Sequence, residues 1–192
     1  MQDYEECRKV VDETMDTYGR IDVLVNNAGV VSRGESFFKA DTEDIRRTMD
    51  INVLGTIHMI LAVSKYMSDQ QNGTIVFIGS ICGTMANSES VGYHASKGAV
   101  EMVTKSLARE LSGYGIRVVC VSPGWVRTEM IDDTVAKIGA SLHMKGRIVE
   151  PEEIAGAVYL MTLDEASAVN GTTVMADDGY SAFKGIDGGQ RL

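Results

Sequence analysis

Three short runs of mostly β-branched apolar residues, each running into small turn-forming residues, constrain this chain more than any other feature. Residues 21–25 lead into Asn26-Asn27-Ala28-Gly29, residues 74–78 into Gly79-Ser80, and residues 116–121 into Ser122-Pro123-Gly124. The runs are continuously apolar rather than alternating, as expected of strands buried on both faces of a parallel sheet. Helical spacing fills the intervals. Tyr4, Cys7, Val11, Met15 and Tyr18 recur on one face before Gly19, which sits where a helix C-cap would. Asp41 or Thr42 can cap a helix with apolar periodicity over 45–67. Further helices are expected over 93–111 and over 151–163, the latter with Pro151 in its first turn. A last short strand over 172–176 precedes Asp177-Asp178-Gly179. Residues 129–147 show no long period and read as irregular, and the tail from Lys184 reads as loose.

This alternation predicts an α/β fold, a parallel sheet with helices on both faces. Right-handed crossovers place 26–29, 79–83 and 123–128 at one carboxyl edge of the sheet, where ligands of open α/β sheets bind. No repeat or linker divides the chain, so residues 1–192 are expected to form a single domain.

Composition narrows the possible partners. With 18 basic and 27 acidic residues the net charge is −9, which disfavours a surface for nucleic-acid phosphates or anionic lipid. Three cysteines, Cys7, Cys82 and Cys120, form no C-x-x-C pair and suit small buried thiols in a reducing compartment. The N-terminus has neither a basic start nor an apolar stretch, and the apolar region 51–63 is broken by Asn52, Gly55, Thr56 and His58. A cytoplasmic protein outside the membrane is expected.

The chemistry centres on Tyr93-His94-Ala95-Ser96-Lys97, with Ser80 ending the strand before it and Asn52 on the preceding helix. Tyr93 and Lys97, four apart, share a helix face. Alone, such a pair more often marks a solvated surface. A unit charge about 4 Å from the phenol, at an effective dielectric near 20, is worth roughly 4 kcal/mol, an upper bound of about three pKa units. The pair can therefore poise Tyr93 as a general acid or base.

Together with Asn26-Asn27-Ala28-Gly29 and Pro123-Gly124 on neighbouring strand ends, this set resembles the short-chain dehydrogenase/reductase family over nearly the whole chain. The resemblance implies an NAD(P)-dependent oxidoreductase that moves a hydride between a nicotinamide and an alcohol or ketone. By that resemblance Tyr93 transfers the hydroxyl proton, and Ser80 hydrogen-bonds the substrate oxygen. Lys97 lowers the tyrosine pKa and holds the nicotinamide ribose, while the Asn52 carbonyl positions a water that relays protons. It also implies cofactor contacts from Asn26, Ala28, Gly29, Tyr93, Lys97, Pro123, Gly124, Val126 and Thr128; Asn27 is equally well explained as a turn residue. Met85, Met130 and Met144 fall in segments that form the family's substrate pocket, and Glu89 is more readily a solvated loop residue than a substrate ligand. His58, His94 and His143 lack metal-ligand spacing and read as ordinary helix or loop residues. No metal site is expected.

The resemblance also implies an incomplete doubly wound, Rossmann-like sheet. A dinucleotide fold has two halves, with its glycine-rich turn after the first strand. No such run precedes Asn26, so two βα units, on the order of 60 residues, and the strand leading into the first helix are expected to be missing upstream. The loss would remove one cofactor wall and the residue that selects NAD or NADP. It would also leave residues 21–25 as an exposed apolar edge. Two readings follow: an incomplete version of an active oxidoreductase, or a catalytically incompetent fragment acting as an oligomerising or interaction subunit. Ala95, Ala99, Val100, Met102, Val103, Leu107, Ala108 and Leu111 cover a wider arc than one core stripe needs, which implies a second partner, and the family resemblance implies that a complete chain forms a homodimer or homotetramer.

Overall fold

A computed structural model describes residues 2–32, 36–129 and 131–182. Met130 and the tail from Lys184 lie outside them. Four strands, β1 (Val23–Asn26), β2 (Gly73–Ile78), β3 (Ile116–Pro123) and β4 (Thr173–Ala176), form one parallel sheet in the order β1-β2-β3-β4. The expected parallel α/β sheet is present, and β1 is its edge among the described residues, with Val23 and Val25 exposed. The helices among the described residues are α1 (Tyr4–Tyr18), α2 (Thr42–Met49), α3 (Gly55–Gln70), α4 (Val91–Leu111), α5 (Asp133–Leu142) and α6 (Pro151–Thr162).

Successive residues of β2 and β3 serve opposite cores, because side chains alternate across a strand. Ile75, Phe77, Val118 and Cys120 pack with Ile60, Val63 and Met67 of α3 and Val100 and Ala108 of α4. Val76, Val119 and Val121 face the other side, against Ala157, Val158 and Met161 of α6. Helix ends follow local chemistry. Asp3 and Asp41 accept backbone N–H groups at the starts of α1 and α2, and Gly19 closes α1 in the left-handed conformation at φ 73°. At α6, Glu150 and Glu153 form a capping box beside Pro151.

Two expectations are corrected. The single helix over 45–67 is split by a five-residue π turn, Asp50–Leu54, joining α2 to α3; apolar spacing does not register one inserted residue. The stretch 129–147 holds α5, started by Asp132, whose carboxylate accepts the Thr134 and Val135 N–H groups at 2.8 and 2.9 Å. Only Gly139 of that helix is buried, which is why no apolar stripe announced it.

Candidate active site

The end of β2 and the start of α4 assemble the centre. Beyond Ile78 the chain passes Gly79 and enters a short 3₁₀ turn, Ile81–Gly83, where the Ser80 Oγ accepts the Cys82 N–H at 3.1 Å. That bond leaves the Ser80 hydroxyl proton for another acceptor. Before α4, Glu89 and Ser90 take left-handed conformations at φ 75° and 56°, which reverses the chain and puts Tyr93 on the first helical turn. His94 braces this reversal: its Nδ1 lies 2.9 Å from the Ser90 carbonyl, and its Nε2 accepts the Asn87 N–H at 3.4 Å.

Lys97, one turn beyond Tyr93, is buried. Its ammonium donates to the Ile78 carbonyl at 2.8 Å and lies 5.6 Å from the centre of the Tyr93 ring. One of its three N–H bonds is thus spent on the end of β2, and two remain for oxygens entering the site. Asn52, in the π turn, grips the loop after β1: its Oδ1 accepts the Val30 N–H and its Nδ2 donates to the Val30 carbonyl, both at 2.8 Å. The same Nδ2 donates to Ser96 Oγ at 3.0 Å, which ties the loop to α4.

Two cavities meet here. A cleft of about 850 Å³ runs along the carboxyl edge past Asn27, Gly29, Ser80, Tyr93, Lys97 and the 123–128 segment to α6. A second chamber of about 500 Å³ lies on the other side, walled by Met85, Trp125, Ile131, Val135 and Tyr180. Ser80 and Tyr93 line both.

A family model described as enoyl-(acyl carrier protein) reductase matches residues 1–181. A 3-oxoacyl-[acyl-carrier-protein] reductase from Thermotoga maritima is 36% identical over 180 residues, 92% of this chain and 73% of that protein. The chain is also 35% identical over 180 residues to a 3alpha-hydroxysteroid dehydrogenase from Mediterraneibacter gnavus, covering 92% of this chain and 72% of that one. Among solved structures, a gluconate 5-dehydrogenase from Burkholderia cenocepacia in complex with NADP and tartrate superposes with a TM-score of 0.90 at 28% identity, over 95% of this chain and 73% of that chain. The chain belongs to the short-chain dehydrogenase/reductase family.

The residues present fit the nicotinamide-ribose portion of the cofactor that such reductases use. A Cβ on Gly29 would lie 3.2 Å from Asn52 Oδ1 and 3.9 Å from Lys97 Nζ, so glycine opens the space that the lysine faces. Gly29, Tyr93, Lys97, Pro123, Gly124, Val126 and Thr128 all line the cleft, as the family resemblance implies. Asn26 and Ala28 do not: Asn26 is buried, and Ala28 is exposed outside the cleft. Asn27, whose N–H bonds to the Val25 carbonyl at 3.1 Å in a tight turn, lines the cleft as well. The sequence reading missed the α6 wall, Ile154 and Val158, and the chamber residues Trp125, Val135 and Tyr180, none of which carries a motif.

Burial pushes the Tyr93 phenol above its usual value, the Ser80 hydroxyl opposes that, and the neighbouring Cys82 thiol adds to it. Burial also draws Lys97 down. Burial, the largest of these influences, therefore holds the phenol above its ordinary value, in the protonated form that can donate. Of the methionines, Met85 lines the second chamber, whereas Met144 packs at the Gly179 turn. Glu89 is exposed. The histidines serve structure: His58 meets Tyr4 edge to face, and His143 Nε2 accepts the Trp125 backbone N–H at 3.1 Å.

Proposed function

We propose that this chain carries the proton-transfer centre of an NAD(P)-dependent oxidoreductase acting on a secondary alcohol or the corresponding ketone. The observation that carries the reading is the junction of the two cavities at Ser80 and Tyr93. A nicotinamide held in the larger cleft supplies the two-electron hydride exchange with the substrate carbon. The chain's own residues do the rest. Ser80, whose oxygen already accepts the Cys82 N–H, donates to the substrate oxygen and fixes its direction. Tyr93 gives its proton to that oxygen during reduction and takes it back during oxidation. Lys97, anchored on Ile78, holds the ribose and restores the Tyr93 proton. Asn52 acts through its side chain, holding Val30 and Ser96 in register, while its carbonyl accepts Thr56 Oγ1 at 3.3 Å.

The joint placement of Ser80, Tyr93 and Lys97 supports this over a purely interacting fragment, since packing alone requires neither the phenol nor a buried ammonium there. Either NAD or NADP suits the residues present, and solved relatives hold NADP or NADPH. No helix among the described residues is long and apolar enough to cross a membrane. None of the three cysteines is in a disulfide, which supports a reducing, cytoplasmic setting. The described residues share one sheet, which supports a single domain, and we assign the chain to homo-oligomers through α3 and α4.

Titration of the purified chain with NADH and NADPH, followed by nicotinamide fluorescence, tests the reading. Saturable binding, and turnover that Tyr93→Phe lowers by roughly 10²–10⁴-fold with cofactor affinity preserved, is the expected result. Absence of binding at millimolar cofactor would overturn it.

A further inference from the structure

The second chamber identifies the kind of molecule that reaches Tyr93. We propose that the substrate is a neutral, predominantly hydrocarbon ketone or secondary alcohol of compact alicyclic shape, a proposal that rests on the oxidoreductase reading above. At about 500 Å³ the chamber falls in the range that encloses a drug-sized ligand. Its apolar walls are Ile81, Met85, Trp125, Ile131 and Val135 with the ring of Tyr180; Asn87, Ser90 and Thr128 also line it, and no Asp, Glu, Lys or Arg is among the described residues that do.

A carboxylate or phosphate brought into such walls would lose its hydration without gaining a cation, a cost of several kcal/mol. A sugar presents several hydroxyls, each needing a partner once water is removed. Ser80 and Tyr93 are committed to the reacting oxygen, and His94 spends its ring nitrogens on Ser90 and Asn87. Asn87, Ser90, Thr128 and the Tyr180 hydroxyl are what is left for a polyol, spread over a lining that is mostly apolar. A hydrocarbon ring system loses nothing by dehydration, gains contact with the Trp125 and Tyr180 side chains, and has few rotors to immobilise.

Delivery on an acidic carrier protein is disfavoured by the surroundings. Of the basic residues on the segments flanking the chamber, three are already paired: Arg127 with Glu150 at 3.0 Å, Lys145 with Asp178 at 3.4 Å, and Arg147 with Glu153 at 2.6 Å. A carrier would have to displace these carboxylates or rest on Lys137, exposed on α5, in a chain whose net charge is −9.

Trp125 is the chain's single tryptophan and part of the chamber wall, so its fluorescence reports occupancy without any need for turnover. The full chain is titrated with borneol and androsterone as alicyclic probes, and with L-fucose, gluconate and an acetoacetyl thioester as the alternatives. A saturable change with the alicyclic probes, and none with fucose or gluconate at millimolar concentration, is expected. Val135→Asp should weaken the alicyclic probes by about tenfold or more while leaving the melting temperature in place. A response confined to the sugar, the sugar acid or the thioester would overturn the proposal. So would silence with every probe, or unaltered affinity in a folded Val135→Asp. Saturable alicyclic binding without hydride transfer to or from either cofactor would instead sink the oxidoreductase reading and leave the binding assignment standing.

Discussion

At Tyr93 two opposing influences can be separated by experiment. Burial raises the phenol pKa and the Ser80 hydroxyl lowers it, so deleting that hydroxyl leaves burial unopposed. The phenolate absorbance of the chain, minus that of Tyr93→Phe, should show Tyr93 ionising above the ordinary phenol value of about 10, and Ser80→Ala should move it higher still. A difference titration centred below that value would contradict the assignment of desolvation as the dominant cause. Asn52 allows a second test at the same scale. Its side chain satisfies both the N–H and the carbonyl of Val30, and Asn52→Ala leaves both without that partner. The expected cost is about 1–3 kcal/mol for each group that stays buried and unpaired. Denaturant unfolding would show it, together with a loss of turnover in which cofactor KM rises, because the displaced loop carries Gly29. Val30→Ala, which keeps both backbone groups but trims the cleft wall, should not reproduce the cost of the two unpaired groups. The sequence made Ser80, Tyr93 and Lys97 legible as candidates through their family resemblance as a set, since the phenol–ammonium spacing alone more often marks a solvated surface. It did not disclose that Asn52 works as a clamp, since that depends on a loop 22 residues away.

At the scale of elements, the strands and most helix ends were readable because each is set by neighbours in sequence: β-branched runs, Asp41 at a helix start, Gly19 at a helix end, Pro151 in a first turn. What escaped was set by distant contacts. α5 has one buried residue, Gly139, where a Cβ would come within 2.7 Å of the Trp125 side chain, and no periodicity can foretell a helix placed by a single tight contact. The π turn over Asp50–Leu54 escaped in the same way, yet it rotates Asn52 toward the loop after β1. Between α4 and β3 the chain turns through Gly115 at φ 72°, where a Cβ would sit 2.2 Å from the Gln71 carbonyl oxygen. Both the left-handed conformation and the backbone approach oppose a side chain. Gly115→Ala should therefore destabilise the fold by about 2–4 kcal/mol, combining the left-handed penalty with overpacking against an immobile group. Chemical denaturation would register this as a lower midpoint at unchanged slope. Gly113→Ala, two residues earlier with nothing within 4 Å of its Cβ, is the control and should cost far less.

For the molecule as a whole, the two faces of the sheet differ in what they leave uncovered. On the side of α3 and α4 the helices bury one stripe against Ile75, Phe77 and Val118, yet their outer surfaces remain apolar: Leu54 and Leu61 on or beside α3, and Met102 on α4, are about half exposed or more. Ile57, Leu61, Val103 and Leu107 line a groove of about 230 Å³ between the two helices. Scattered apolar residues are ordinary on a surface, but a contiguous groove on paired helices is a self-complementary shape for a two-fold contact. The wide apolar arc read from α4 thus divides physically: Val100 and Ala108 point into the core, and Met102 points outward. If copies of the chain meet across this face, a charge at its centre must be dehydrated without a partner, at a cost large enough to dissociate a contact of ordinary size. Met102→Glu and Leu61→Glu should each convert the oligomer to monomer in light scattering. Because both residues are solvent-exposed within one chain, circular dichroism should show an unaltered helix content in the monomer. Cofactor binding offers a finer reading, since α4 carries Tyr93 and Lys97 at one end and this contact along its outer face. A Met102→Glu monomer with weakened cofactor affinity would mean that assembly holds α4 in place, whereas unchanged affinity would mean that Lys97's bond to Ile78 is sufficient by itself.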